Sequence, residues 1–220
     1  MSTLRVYTLG DSNGAGPDGW PTHLAMELER RVGRRVELVN DSLPGRAIGF
    51  QKFGPDSNAL NVAEESVRAA ARKLGGLDEV VVCLGTNDVQ TMWAAEGKTA
   101  GDIAKNLDLL CRRIREGLGG ARARVTICSP PPLGSVLDED AAPAEGKVGD
   151  EQNKRRGGGG RLAMLTPLMQ AVAAEHGARF VDLFGGLHDR RDQIVGEDGT
   201  HLTKQGQQCV AGLMAETVAG

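Results

Sequence analysis

Aromatic residues are scarce in this 220-residue chain: two Trp, one Tyr and four Phe make up 3% of it. That poverty disfavours a flavin site, which flanks its ring with aromatic side chains. Cysteine is also rare. Cys83, Cys111, Cys128 and Cys209 form no Cys-x-x-Cys pair, and each lies in an apolar-periodic segment. They therefore read as small buried hydrophobes, neither disulfides nor zinc ligands. No His, Cys or carboxylate cluster has metal-ligand spacing, so neither a metal nor a cofactor is expected. The longest apolar runs, at 80–84 and 209–214, fall far short of the about 18 residues that a membrane span needs. The opening MSTLRVYTLGDS lacks the apolar core of a secretory leader, and a cytoplasmic location is the expectation. Excess charge is missing too, since 26 Lys and Arg stand against 29 Asp and Glu for a net charge of −3. Nothing electrostatic recommends a nucleic acid or an acidic membrane as partner. The pairs Arg30-Arg31, Arg34-Arg35 and Arg112-Arg113 read as solvated faces.

What is present is a rhythm. Short β-branched runs at 4–9, 36–40, 80–84, 125–128 and 179–183 alternate with Ala/Leu-rich stretches of helical period at about 18–32, 58–74, 99–118, 161–176 and from 203 onward. Strands separated by helices imply a parallel sheet covered on both faces: an α/β fold, a three-layer α/β/α sandwich with a five-stranded parallel sheet. The length suits a single domain spanning 1–220. One segment interrupts the pattern, 134–160, acidic then basic and ending in four glycines. It reads as a long loop, either flexible or serving as a lid or oligomer contact, with the glycines as a hinge.

In such sheets the ligand crevice lies outside the carboxyl ends of the strands, which makes the residues just past each strand the informative ones. After the first strand stands Gly10-Asp11-Ser12-Asn13-Gly14-Ala15-Gly16. Its G-x-S-x-G spelling matches a nucleophile elbow, but the few residues upstream leave no room for the strands and oxyanion loop that this motif requires. After the second strand comes Asn40-Asp41-Ser42-Leu43-Pro44-Gly45-Arg46, and after the third Gly85-Thr86-Asn87-Asp88. Asp198-Gly199-Thr200-His201-Leu202 precedes the last helix and holds an acid and an imidazole three residues apart. Each string alone is compatible with turn or capping chemistry. Gly97-Lys98-Thr99 has the tail of a phosphate loop without its leading glycine, and a nucleotide site is rejected there.

Together these strings resemble the SGNH (GDSL-type) hydrolase superfamily over nearly the whole chain. Its four signature residues fall on Ser12, Gly45, Asn87 and His201, with the acid three positions before the histidine at Asp198. The resemblance implies a flavodoxin-like fold, in agreement with the strand–helix rhythm. The wording Leu84-Gly85-Thr86-Asn87-Asp88, the run Ser129-Pro130-Pro131-Pro132-Leu133 and Asp182 look like the arylesterase and acyltransferase branch. Asn13-Gly14 stands where that branch more commonly has Leu-Thr or Asn-Thr, a change expected to alter the acyl pocket. Gly45 stands where some members carry alanine.

What the resemblance implies is a serine esterase acting on small acyl esters, hydrolysing short acyl groups or transferring them to alcohols. Ser12 would attack the carbonyl, His201 take its proton, and Asp198 orient the ring. The oxyanion would rest on the backbone N–H groups of Ser12 and Gly45 and the amide of Asn87. The branch often oligomerises, so a homo-oligomer is expected. These residues act on the ester carbonyl alone. Acyl thioesters, lysophospholipids and acetylated sugars therefore stay open as substrates, as does a non-catalytic flavodoxin-like module with a phosphate cradled by residues 10–16. His23, His176 and His188 lack a neighbouring acid before the last helix and compete poorly as base. Trp20, Trp93, Phe50 and Phe53 are candidates to line the acyl pocket.

Overall fold

The computed structural model describes residues 3–220. Five strands, β1 (Leu4–Gly10), β2 (Val36–Ser42), β3 (Glu79–Cys83), β4 (Arg124–Cys128) and β5 (Arg179–Val181), form one parallel sheet in the order β2-β1-β3-β4-β5. The helices are α1 (Trp20–Val32), α2 (Ala59–Leu74), α3 (Thr91–Ala95), α4 (Ala100–Leu118), α5 (Gly146–Arg155), α6 (Gly158–Glu175), α7 (Leu183–Leu187), α8 (Arg191–Ile194) and α9 (Lys204–Ala219).

Alternation along the strands divides the core into two layers. Tyr7, Leu9, Val80, Val82, Val125 and Ile127 face the cluster built with α2, α4 and α6, whereas Leu4, Val6, Val81 and Cys83 face α1 and α9. Every residue of β3 is buried, as expected of a central strand covered on both sides. It begins at Glu79, one residue before the apolar run, whose buried carboxylate is paired with Arg124 and Arg179. Local signals end the helices where the sequence says they should. Asn58 caps α2, Thr99 and Asp102 form a reciprocal capping box on α4, and Gly33, Gly75 and Gly119 close α1, α2 and α4 in the left-handed region. Thr99 thus spends its hydroxyl on helix initiation, consistent with the rejection of a phosphate loop.

Two expectations need correction. The 134–160 segment is not one long loop: it contains a short helical turn at Ser135–Leu137, the ten-residue α5, and the first turn of α6, which starts at Gly158. Side chains supply the order that weak helix propensity does not. Gln152 Nε2 donates to the carbonyls of Val136 and Ala142, its Oε1 accepts from Ala144 N–H, and Arg156 reaches the carbonyls of Glu139 and Ala141. The glycines of 157–160 form a helix start rather than a hinge, with Gly157 at φ 69° as its left-handed cap. As for the cysteines, all four are free, and three are buried as expected, but Cys209 is only half-buried on α9. Among the described residues no helix is long and apolar enough to cross a membrane, and no group of His, Cys, Asp and Glu is arranged to hold a metal.

Candidate active site

The sheet order makes β1 and β3 neighbours, with the chain departing from them in opposite directions. The switch point is therefore at their carboxyl ends. In register, Gly10 pairs with both Ser42 and Cys83. Ser12, Gly45 and Asn87, each a few residues beyond those partners, consequently emerge at one edge. His201 arrives there from the loop before α9, although 189 residues separate it from Ser12.

Ser12 Oγ lies 3.1 Å from His201 Nε2, and His201 Nδ1 lies 2.6 Å from Asp198 Oδ2. A carboxylate can only accept, so Nδ1 carries the ring proton and Nε2 is left to accept from the serine hydroxyl. Asp198 is itself anchored, because its Oδ1 accepts the N–H groups of Thr200 and His201, both at 2.9 Å. Burial pushes this carboxyl upward, but the bonds from His201 and the two backbone N–H groups outweigh it and hold Asp198 below its ordinary range. His201 is half-exposed.

The turn that carries Ser12 is held from beneath. Asp11 Oδ1 accepts Asn13 N–H at 2.9 Å, and burial pushes the Asp11 carboxyl up. Asn13 bridges the two halves of the site: its Nδ2 donates to Thr200 O at 3.4 Å and its Oδ1 accepts Leu202 N–H at 2.8 Å. It therefore grips the chain on both sides of His201, and the expected change to the acyl pocket is instead a structural tie. Gly14 is required by proximity, since a Cβ there would fall 2.4 Å from Ser42 Oγ and 2.9 Å from Trp20 Nε1.

Gly45 adopts φ 79°, in the left-handed region, with the Phe53 ring 2.7 Å from where a Cβ would stand. Neither Ser12 N–H nor Gly45 N–H donates to any acceptor among the described residues. Asn87 is buried at 3% exposure. Its Nδ2 donates to Arg46 O at 3.0 Å, and its Oδ1 accepts from Gln90 Nε2 at 3.0 Å and from an Arg155 guanidinium nitrogen at 2.8 Å. Behind it, Asp88 Oδ1 and Oδ2 accept Ile48 N–H at 3.0 and 2.9 Å, fixing the loop that carries Gly45. Burial, the largest influence on Asp88, raises its pKa to about 7.

Ser12, Gly45, Asn87 and His201 open onto a cleft of 430 Å³ whose other walls include Phe53, Lys52, Gln90, Glu151, Lys154 and Arg155. Desolvation, and then the neighbouring charges of Lys154 and Arg155, depress the pKa of Lys52. A second depression of 470 Å³, between the start of α4 and α6, shares Gln90 but touches none of Ser12, Gly45 or His201. Its lining holds no histidine, and the Thr99 hydroxyl there is committed to the capping box of α4.

Of the four aromatic candidates only Phe53 lines the cleft. Trp20, the first residue of α1, is wholly buried in the core, and Trp93 donates its indole N–H to Asn87 O at 3.0 Å while packing against Phe50. Asp182 and Ser129 bond to each other and to the N-terminus of α7, away from the cleft. His176 pairs with Asp108 and His188 packs on Phe184. Sequence reasoning missed Arg155 and Glu151, which lie in the irregular 134–160 segment. It also missed Gln90, for which the three-residue spacing from Asn87 was an available clue.

The GDSL-like lipase/acylhydrolase family matches residues 8–209. The chain belongs to that family. It is accordingly an ester hydrolase of the SGNH type. Solved structures agree on the fold: a carbohydrate acetylesterase family member from Sinorhizobium meliloti superposes with a TM-score of 0.72 at 22% identity, covering 98% of this chain and 97% of that one. The aryl esterase of M. smegmatis gives 0.72 at 22% identity, with 98% of each chain covered. A lipase/acylhydrolase from Enterococcus faecalis gives 0.70 at 18%, covering 99% of this chain and 96% of that one. A short stretch of 59 residues is 37% identical to 16-methoxy-2,3-dihydro-3-hydroxytabersonine synthase of Catharanthus roseus. That match takes in 27% of this chain and spans only 17% of the plant protein's length.

Proposed function

We propose that residues 1–220 act as one SGNH domain that hydrolyses small esters of short acyl groups, with Ser12 as nucleophile, His201 as general acid–base and Asp198 as its orienting acid. The observation that carries this reading is the unbroken line Ser12 Oγ, His201 Nε2, His201 Nδ1, Asp198 Oδ2 at 3.1 and 2.6 Å.

In the first half-reaction Ser12 Oγ bonds to the ester carbonyl carbon as its proton passes to His201 Nε2. The carbonyl oxygen becomes an oxyanion, received by the free N–H groups of Ser12 and Gly45 and by the uncommitted N–H of Asn87 Nδ2. Collapse expels the alkoxide, which takes the proton from His201 and leaves an acyl-Ser12 ester. Water then adds to that ester, giving its proton to Nε2. The second collapse releases the acid and returns the proton to Ser12 Oγ. Asp198, held ionised by its three donors, stabilises the transient imidazolium in both halves.

The polar rim of Lys52, Gln90, Glu151 and Lys154 favours a small polar leaving group over a long alkyl chain. It also favours carbohydrate O-deacetylation as the second reading. Fluorophosphonate labelling tests the nucleophile without assuming a substrate: one adduct per chain on Ser12, absent in His201→Ala, is expected. A folded protein that takes no label would overturn the assignment. A panel of p-nitrophenyl esters and acetylated sugars then separates the readings by kcat/KM, and ester product in aqueous alcohol reports acyl transfer.

A further inference from the structure

Helix α5 carries two charged side chains into the site from a segment outside the strand-end motifs. Arg155 is 6% exposed, and its guanidinium donates to Asn87 Oδ1 while pairing with Glu151 one turn earlier on the same helix. Glu151 Oε2 in turn accepts from Thr200 Oγ1 at 3.1 Å, and Thr200 directly precedes His201. One i,i+4 pair thus touches both the amide of the oxyanion site and the acid–base loop.

An asparagine amide is useful at an oxyanion only if its nitrogen, not its oxygen, faces the developing charge. The neighbours of Asn87 decide this. Both groups at one end, Gln90 Nε2 and the Arg155 guanidinium, are donors, so that end must be the carbonyl. Gln90 is itself fixed, because its Oε1 accepts from Lys52 Nζ at 3.1 Å and its Nε2 is left to donate; Arg155 adds a second donor, and a charged one. The guanidinium has no acceptor to offer and never deprotonates. Its positive charge also draws electron density toward Oδ1, which makes the Nδ2 protons better donors, and low exposure keeps that effect from being screened. One of those protons is committed to Arg46 O; the other has no acceptor among the described residues.

We propose that Arg155 is a positioning residue of the oxyanion hole, orienting and polarising the Asn87 amide, with Glu151 holding it in place. The proposal rests on the serine-esterase reading above. A purely architectural role for Arg155 is the competing account, yet α5 has other anchors. Thr91 Oγ1 donates to the carbonyls of Asn153 and Lys154, and Gln152 and Arg156 tie the helix to 136–144.

The test is a double-mutant cycle with Arg155→Met, Arg155→Lys and Asn87→Ala, read as kcat and KM on one activated short-chain ester, with thermal unfolding followed in parallel. Arg155→Met is expected to lower kcat by about tenfold to a hundredfold with KM within about twofold. Arg155→Lys, which keeps a charge but not the planar fork, should recover part of that loss. In the Asn87→Ala background either substitution should change kcat by less than about threefold, because the amide it acts on is gone. Equal losses in both backgrounds, a change confined to KM, or no change would each overturn the proposal. Should Arg155→Met fail to fold, Arg155→Lys in the two backgrounds decides by the same criterion. Failure of the esterase reading itself is distinguishable, because the unsubstituted protein would then take no fluorophosphonate label.

Discussion

Replacing Asn87 by alanine separates catalysis from architecture more sharply than any other single change. The side chain makes three hydrogen bonds within the protein and leaves one N–H for the substrate oxygen. Loss of that donor is expected to lower kcat by about 10²–10³, equivalent to about 2.7–4 kcal/mol of transition-state stabilisation. KM should barely move, because the ground-state carbonyl oxygen is a weaker acceptor than the oxyanion. Alanine also leaves Arg46 O, Gln90 Nε2 and the Arg155 guanidinium without this partner, at a stability cost of about 1–3 kcal/mol. For a chain of this length that is a Tm lower by roughly 2–12 °C. Asn87→Asp dissociates the two effects. It keeps Oδ1 for Arg155 and adds an ion pair, but it places an acceptor where the donor stood. Its Tm should lie nearer the parent's than that of Asn87→Ala, while its kcat falls at least as far. Initial rates on a p-nitrophenyl ester and calorimetry on the same samples decide the matter. An Asn87→Asp enzyme with parental kcat, or an Asn87→Ala enzyme altered only in KM, would refute the oxyanion role.

Asp198→Ala should retain a partial kcat, since Nε2 can still accept from Ser12 once the ring loses its anchor; steady-state rates at full activity would remove Asp198 from the mechanism. Asp88 provides a pH signature. Its folded pKa of about 7 lies above the unfolded carboxylate value, so the folded state holds the proton more tightly. Its contribution to stability is fully present below the unfolded pKa and is lost as pH rises from about 4 through about 7. Relative to Asp88→Asn, the parent should lose stability across that window in urea unfolding, and parallel pH profiles would contradict the assignment. Asp198 has the opposite sign: its depressed pKa adds stability above the unfolded value that disappears as pH falls through the folded one. Gly45→Ala should cost about 1–2 kcal/mol for a left-handed alanine. Phe53, 60% exposed, can swing away from the new methyl, so the N–H at 45 keeps its place and kcat should change far less than in Asn87→Ala.

Much of this was legible in one dimension because the relevant physics is local. Short β-branched apolar runs and helical periodicity located the five strands and the helices that cover them to within a few residues, since burial in a covered sheet favours the first and burial of a helix stripe imposes the second. The candidate site residues were legible for a related reason. Each follows a strand or precedes a helix, where the parallel architecture puts loops at one edge, so Ser12, Gly45, Asn87 and His201 could be listed before their distances were known. The 134–160 segment defeated the same reasoning. It has neither periodicity nor capping signals: Gln152 and Arg156 gain order from carbonyls within the segment that no spacing rule pairs with them, and Arg155 from Glu151 and the distant amide of Asn87.

The division follows the range of the forces involved. Strand and helix identity, the absence of long apolar spans and the candidate nucleophile, base and acid depend on residue type and short spacing, and the sequence by itself determined them. Only the tertiary structure decided that Asn13 grips both sides of His201, that Trp20 and Trp93 are core and support rather than pocket wall, and that Arg155 faces the carbonyl of Asn87. The Asn13 and Arg155 contacts join residues far apart in the chain through single directional hydrogen bonds, and the fate of the two tryptophans depends on which elements pack over them. No periodicity encodes such a bond until the sheet has brought its partners together.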